Sequence, residues 1–587
     1  MERTVIRDAA TFEVFRNAVT GVADEMAVTI LRTAHSQIVA SSMDFSAALC
    51  DGDGRVIAQA NTCPVHLGSI PDAMAAVLEE FGTTIADGDV YLLNDPSRGG
   101  MHLPDIFAIA PVFGDPETLL GYAVTVVNHA DVGGWVAGSM AVQSTSIFAE
   151  GVQIPPSRLV DGGMINTTFL DLILRNVREP DLLRGDLDSQ LAACHAGAVG
   201  LRALADRHGT AGFAVLVDDL LDYSETLLRA ALAEAVPGTY AFTDHIDDDG
   251  LGSGPIPFAV QVTLDERGVL LDFTGSSPQV ASALNATASF TRSAAYAAVQ
   301  GVLGGHIPSN SGFYRPFSFR IPDASILDAR RPAARGARGL VAYRIIDTVL
   351  GALAPAFPGR VPAAGDGGPD SVAIGITDER GASVVLWDVL CGAWGARPDR
   401  DGVDGISPLG ANLANTPIEE IERSGHVRID GYGYLPDTGG AGRFRGGLAT
   451  FRDITVLAAE ASVQIRSDRR TFLPYGLDGG AHGTPSLNVL HPGTPHEQLL
   501  PSKPHLVLAA GSRIRHVTAG GGGFGDPHDR APAAVLDDVI EEKVTPEGAA
   551  RDYGVVITAA RELDLDATAA LRTPVSPLHP LSREARP

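Results

Sequence analysis

Cysteine is scarce: Cys50, Cys63, Cys194 and Cys391 are the only four in 587 residues. They are scattered and form no CxxC pair, which excludes a disulfide framework or a cysteine zinc knuckle and fits a reducing cytoplasm. Lysine is scarcer, with Lys503 and Lys543 alone among 44 basic residues, a compositional bias that carries no function by itself. No stretch approaches the roughly 18 consecutive apolar residues of a membrane span. The opening MERTVIRDAATFE has no apolar signal core, so a soluble cytoplasmic protein is expected. Positive charge is also short: 44 basic against 71 acidic residues leave a formal charge of −27, which argues against nucleic acid and membrane partners. No GxxxxGK[ST] loop is present to hold ATP, no GxSxG elbow, no cysteine beside a histidine in a nucleophile signature, and no repeat at a solenoid period.

What is present suits a large globular protein. Hydrophobic residues make up 45% and charged residues 20%, while 66 glycines and 38 prolines point to many tight turns and ordered loops. Residues 8–35 carry Phe12, Phe15, Val19, Val22, Met26 and Ile30 at helical spacing after a capping Asp8. DFSAALC and RVIAQA flank Asp51-Gly52-Asp53-Gly54 as a hairpin with Asp44 at its open end. A short helix is expected around 71–81. DVYLLND reads as a strand, then comes the polar loop PSRGGMHLPD, then IFAIAPVF and GYAVTVVNHAD as an antiparallel pair. Residues 151–235 read as helical, 236–374 as mixed strands and helices, 375–530 as strands and glycine turns, and 531–587 as a helical segment and tail. The fold class expected is α+β: a multi-lobed, β-rich protein whose first lobe, 1–235, carries the site.

That site is built on His102-Leu-Pro-Asp105 and on Asn128-His129-Ala-Asp131. A register in which paired positions sum to 234 or 235 sets Asp105 or Ile106 opposite His129, within about 5 Å. Two imidazoles and one or two carboxylates on strand ends suit a divalent cation such as zinc, manganese or iron, with Asp44 as a further oxygen ligand. The same residues also read as ordinary polar groups at strand ends. GGGGFG at 520–525 fits GxGxxG, but Asp526-Pro527 follows where a helix would have to start, so a close-approach glycine turn is expected. His66, in CPVHLGS, reads as a core histidine or an acid/base group.

In order along the chain, DFSAAL, PVHLGSIP, NDPSRGGMHLPDIF, NHADVGG, EGVQIPP, GDLDSQLAA, DFTGSSPQV, WGARPDRDGVDG, SDRRTFLPYGLDGG and GGGGFGDP resemble the hydantoinase B / 5-oxoprolinase family. That family includes N-methylhydantoinase beta subunits and is related to acetone carboxylase alpha subunits. The resemblance implies one half of an ATP-dependent amidohydrolase, a hetero-oligomer in which a hydantoinase A-type ATPase subunit phosphorylates the amide oxygen of a lactam or cyclic ureide. The present chain would then open the ring at a divalent metal, with ATP entering through the partner. The resemblance maps the metal ligands onto Asp44, His102, Asp105 and His129, and leaves His66, Asp95 and Asp131 for proton transfer or ligand orientation. Asn128 departs from the family, many of whose members carry two adjacent histidines before Ala-Asp. A carboxylase of the acetone carboxylase type and a non-catalytic scaffold for the ATPase are the competing readings.

Overall fold

The computed structural model describes residues 8–378 and 380–572; the tail expected beyond them lies outside the described residues. The mixed α+β class is found, with several sheets and long helices. The helix Ala9–Thr33 starts where Asp8 accepts a hydrogen bond from the Ala10 N–H at 3.1 Å. Phe12, Phe15, Val19, Ala23, Met26 and Ile30 are its buried stripe. It packs on the helix Pro180–His208, where a Cβ on Gly197 would stand 2.5 Å from Met26 Sδ and one on Gly200 would stand 2.4 Å from Val22 Cγ1. Glycine there brings two helix surfaces together.

The first sheet holds seven strands: β1 (Phe45–Asp51), β2 (Val56–Gln59), β3 (Val90–Leu93), β4 (Asp105–Asp115), β5 (Thr118–Asn128), β6 (Ser157–Asp161) and β7 (Met164–Ile165), in the order β2-β1-β5-β4-β3-β6-β7. All its pairings are antiparallel. Period-two alternation splits it into two buried faces. Phe45, Ala47, Leu49, Ile106, Ala108, Ala123 and Val127 pack in the core shared with the two long helices. Ala48, Cys50, Phe107, Ile109, Tyr122, Val124 and Val126 belong to a second core shared with the strands Gly238–Ile246 and Ile256–Asp265 and the helices Ala288–Leu303 and Arg338–Leu353.

The β4–β5 register differs from the expected one. Strand β4 ends and β5 begins around Pro116-Glu117, so pairs sum to 233 and Asp105 faces Asn128. The tight turn, held by the Glu117 N–H on Asp115 Oδ1 at 3.0 Å, moves the hairpin by one residue and so changes which side chains share a face. Residues 151–165 are likewise not helical: Pro155-Pro156 and Gly162-Gly163 interrupt them, and they form a loop with β6 and β7.

The helix Arg338–Leu353 is buried on nearly all sides, with no solvent face to reveal it in the sequence. Two of its three buried charges, Arg344 and Asp347, join a network. Arg344 reaches Asp244 at 3.0 Å and Asp468 at 2.5 Å, Arg469 pairs with Asp244 and Asp347, and Lys503 lies 3.2 Å from Asp468. The glycines at 520–525 are packed against other chain segments. A Cβ on Gly520 would lie 1.8 Å from Thr438 O, and one on Gly521 would lie 2.3 Å from Trp394 O. Neither has a positive φ, so the requirement is space. All six N–H groups of 520–525 bond to carbonyls of Thr484, Gly447, Ala364, Ala481, Phe444 and Leu477, and none is left to cradle a phosphate. Among the described residues, no helix is long and apolar enough to cross a membrane.

Candidate metal centre

Four backbone segments converge beneath the end of the first sheet. Asp44 precedes β1, and its C=O accepts the Asn128 N–H at 3.0 Å where β5 ends. Asp105 opens β4 at the close of a turn, its N–H donating to His102 O at 3.1 Å. His102 is delivered by the 94–104 loop. Asn94 anchors that loop by accepting the Ile154 N–H at 2.6 Å and donating to Leu103 O at 2.7 Å and Val152 O at 3.0 Å. Gly99 has φ +91°, and a Cβ on Gly100 would lie 2.2 Å from Asn94 O, which explains the glycine pair before the histidine. His66 sits on the four-residue helix Pro64–Leu67, entered through Cys63.

Their side chains meet in one cavity, lined by Asp44, Cys63, His66, His102, Asn128 and Arg338 among others. His66 Nε2 is 3.5 Å from Asp44 Oδ1 and 3.8 Å from Asp105 Oδ1. Asp44 Oδ2 accepts from Asn128 Nδ2 at 2.8 Å. Asp105 Oδ2 pairs with Arg338 and lies 2.9 Å from His102 Nδ1. Asp105 Oδ1, Asn128 Oδ1 and His66 Nδ1 are buried with no hydrogen-bond partner. The donor atoms of Asp44, Cys63 and His66 all lie within 4.8 Å of one another.

Burial sets the protonation. It pushes the His66 imidazole down to about 3, with Arg338 adding to the effect. It holds His102 well below the usual imidazole range, with Arg338 and His66 contributing in the same direction. Both rings are therefore neutral near pH 7, with lone pairs free for coordination. Burial raises Asp44, against the opposing pull of Arg338 and the Asn128 hydrogen bond.

These residues fit a divalent cation. Two donors on one tetrahedral cation at about 2.1 Å stand about 3.4 Å apart, close to the Asp44–His66 separation and too long for a hydrogen bond. Oxygen and neutral nitrogen donors, with buried atoms left unpaired, are what such an ion satisfies.

The structure does not bring every expected residue here. Asp44 and His102 share the cavity with His66, and Asp105 stands against its wall, in contact with His66, His102 and Arg338. His129 follows Asn128 onto the other face of the sheet, the side of Ala123 and Val127, where its Nε2 lies 3.1 Å from Gln190 Oε1 on the helix Pro180–His208. Gln190 is itself fixed by donating to Ile106 O at 2.9 Å and Thr125 Oγ1 at 3.2 Å. The expectation that His129 faces Asp105 fails by the one-residue register difference, and Asn128 takes that place. Asp131 ties down the following turn, accepting from Gly133 N at 2.9 Å, Gly138 N at 3.0 Å, and Arg178 N and Nη1 at 3.1 and 2.9 Å. Asp95 accepts from Ser97 N at 2.8 Å within the 94–104 loop. Sequence reasoning missed Cys63, Arg338 and Arg466; the two arginines arrive from more than 200 residues away with no local motif to mark them.

Residues 8–527 match the profile of the family described as Hydantoinase B/oxoprolinase, and the chain belongs to that family. It is 32% identical to the B-type chain of a putative D-/L-hydantoinase from Pseudomonas sp. (strain NS671), over 96% of this chain and 98% of the relative. It is 33% identical to the beta chain of the caprolactamase of Pseudomonas jessenii, over 96% of this chain and 99% of the relative. The crystal structure of the ATP-dependent caprolactamase from that organism matches with a TM-score of 0.90, covering 97% of this chain and 100% of that one at 31% identity. A nucleotide-free acetone carboxylase matches with the same TM-score at 20% identity over 96% of this chain and 82% of that one, a likeness of fold alone.

Proposed function

We propose that this chain is the ring-opening, beta-type subunit of an ATP-dependent hydrolase of cyclic amides, acting on a lactam or cyclic ureide whose amide oxygen a separate A-type ATPase subunit has phosphorylated. The observation that carries this reading is the convergence of Asp44, His66 and Asp105, with His66 Nε2 3.5 Å from Asp44 Oδ1 and 3.8 Å from an Asp105 Oδ1 that has no hydrogen-bond partner. Full-length likeness to the B-type chain of a putative hydantoinase and to the beta chain of a caprolactamase supports it. The commitment of every N–H at 520–525 is consistent with ATP entering through the partner.

Asp44, His66, His102 and Asp105 would hold the divalent cation, of the zinc, manganese or iron type, with Asn128 and Cys63 beside them. When bound, that ion supplies Lewis acidity, which acidifies water and polarises oxygen at the reacting carbon. The chain's own groups set the stage. Arg338 pairs with Asp105, and Asn128 fixes the second oxygen of Asp44 so that Oδ1 points at His66. Phosphorylation of the amide oxygen removes the nitrogen donation that makes an amide a poor electrophile. Water then bonds through oxygen to the ring carbon. Expelling phosphate from that adduct would only regenerate the lactam, so productive opening breaks the C–N bond, with nitrogen taking the electron pair and a proton. A second water displaces inorganic phosphate from the resulting acyl phosphate.

The test is to purify the chain with its A-type partner and assay hydantoin, 5-oxoproline and caprolactam. ATP-dependent ring opening of at least one supports the reading. Bicarbonate-dependent carboxylation with no ring opening would replace it with the carboxylase reading.

A further inference from the structure

Arg466 ends the strand Glu460–Arg466 and lines the same cavity as Asp44 and His66. Its Nε donates to Ser371 Oγ at 2.8 Å, and its Nη1 reaches Gly336 O at 3.3 Å and Met140 Sδ at 3.5 Å. The guanidinium carbon stands 5.1 Å from the centre of the Trp387 ring. Arg338, Arg344, Arg452 and Arg469 each pair with an aspartate in the interior, but among the described residues Arg466 has no carboxylate oxygen within 4.0 Å. Its Nη2 makes no hydrogen bond to a described residue. The guanidinium is thus held in place through Nε and Nη1, by a hydroxyl and a carbonyl, and over an indole face, while Nη2 is uncommitted.

The charges around the cavity ask for an anion. Asp44 and Asp105 are matched in number by Arg338 and Arg466, so a bound divalent cation leaves two positive charges uncompensated. A phosphoryl dianion supplies the two negative charges that restore balance, and a guanidinium N–H suits its oxygens.

We propose that Arg466 binds the phosphoryl group of the activated substrate, and afterwards the departing inorganic phosphate, through its uncommitted Nη2. This rests on the reading of the chain as a ring-opening subunit. It makes Arg466 the residue that distinguishes a phosphorylated ring from the free lactam, which is neutral and gains little from a buried cation. Arg338 is already engaged by Asp105 and cannot take that part without releasing a ligand.

The test is isothermal titration of inorganic phosphate into the purified full-length protein, for wild type, R466Q and R466K, with circular dichroism and metal content measured on each. R466Q is expected to weaken phosphate binding at least tenfold at unchanged metal content. R466K keeps a charge but lacks the planar fork, and is expected to weaken it about threefold or more. Wild-type protein that binds no phosphate, or R466Q that binds it at wild-type strength, overturns the proposal. Should R466Q not fold, R466K at wild-type affinity overturns it equally. The reading of the whole protein is judged separately: if the complex with its ATPase partner opens no ring while phosphate binding still depends on Arg466, that reading falls and the anion site stands.

Discussion

Replacing Glu150 with glutamine should reshape the pH dependence of stability. Glu150 lies in the EGVQIPP segment, is only 2% exposed, and receives the N–H groups of Arg335 at 2.9 Å and Gly336 at 2.6 Å. It therefore holds the turn that hands Arg338 to Asp105 and presents Gly336 O to Arg466. Burial pushes its carboxyl up to about 7 from an ordinary 4.5, and the backbone donors and Arg335 only partly oppose that. A folded-state value above the unfolded one means the native protein holds the proton more tightly, so stability falls as pH rises from 4.5 through 7. At 1.36 kcal/mol per unit the effect is about 3 kcal/mol. Spread over a chain of this length, at about 2 cal/mol/K per residue, that corresponds to about 2–3 °C in melting midpoint. Scanning calorimetry of wild type and Glu150→Gln between pH 5 and 8 should show the two curves diverging, with wild type falling by that amount relative to the variant as pH rises. Parallel curves would refute the argument that a buried carboxyl is being ionised in the interior.

Two further predictions concern the scaffold. Asp468→Asn removes one of the anions that balance Arg344, Arg469 and Lys503 in the interior, leaving a cation uncompensated, and should cost about 3–5 kcal/mol by chemical denaturation. The Asp468 carboxyl is held down at about 2, chiefly by Lys503 and Arg344 against the cost of burial, so its contribution is complete above the ordinary 3.8 and disappears as pH falls from there toward 2. Gly521→Ala forces a methyl group to within 2.3 Å of Trp394 O, a backbone atom that cannot rotate away, and should abolish soluble expression or lower the melting midpoint by several degrees. An alanine variant that melts like wild type would show that the glycine segments do not need their close approach.

How far the sequence reveals this protein depends on where each element meets water. The helix Ala9–Thr33 is legible because one face is exposed and its apolar residues recur in step with the turn, behind a capping aspartate. The helix Arg338–Leu353 is not, because nearly every position is buried and no stripe survives. The hairpin of β4 and β5 is legible as a pair, but a two-residue turn fixes its register, and an error of one residue moves His129 from one face of the sheet to the other and brings Asn128 into the cavity. Asp44, His102 and Asp105 stand in recognisable local motifs. Cys63 and His66 lie on a helix of four residues and its entry, too short for periodicity to register, and Arg338 and Arg466 join them only through tertiary packing. The glycines at 520–525 look like a phosphate loop on paper; what separates them from one is the set of carbonyls that occupy their N–H groups, which no local pattern shows.

The most direct test of the central claim is metal content by elemental analysis of purified wild-type, His66→Ala and His129→Ala proteins, each shown to be folded. The account predicts about one divalent ion per chain in the wild type, loss of most of it in His66→Ala, and retention in His129→Ala, whose ring faces Gln190 across the sheet. Metal retained without His66 and lost without His129 would contradict it.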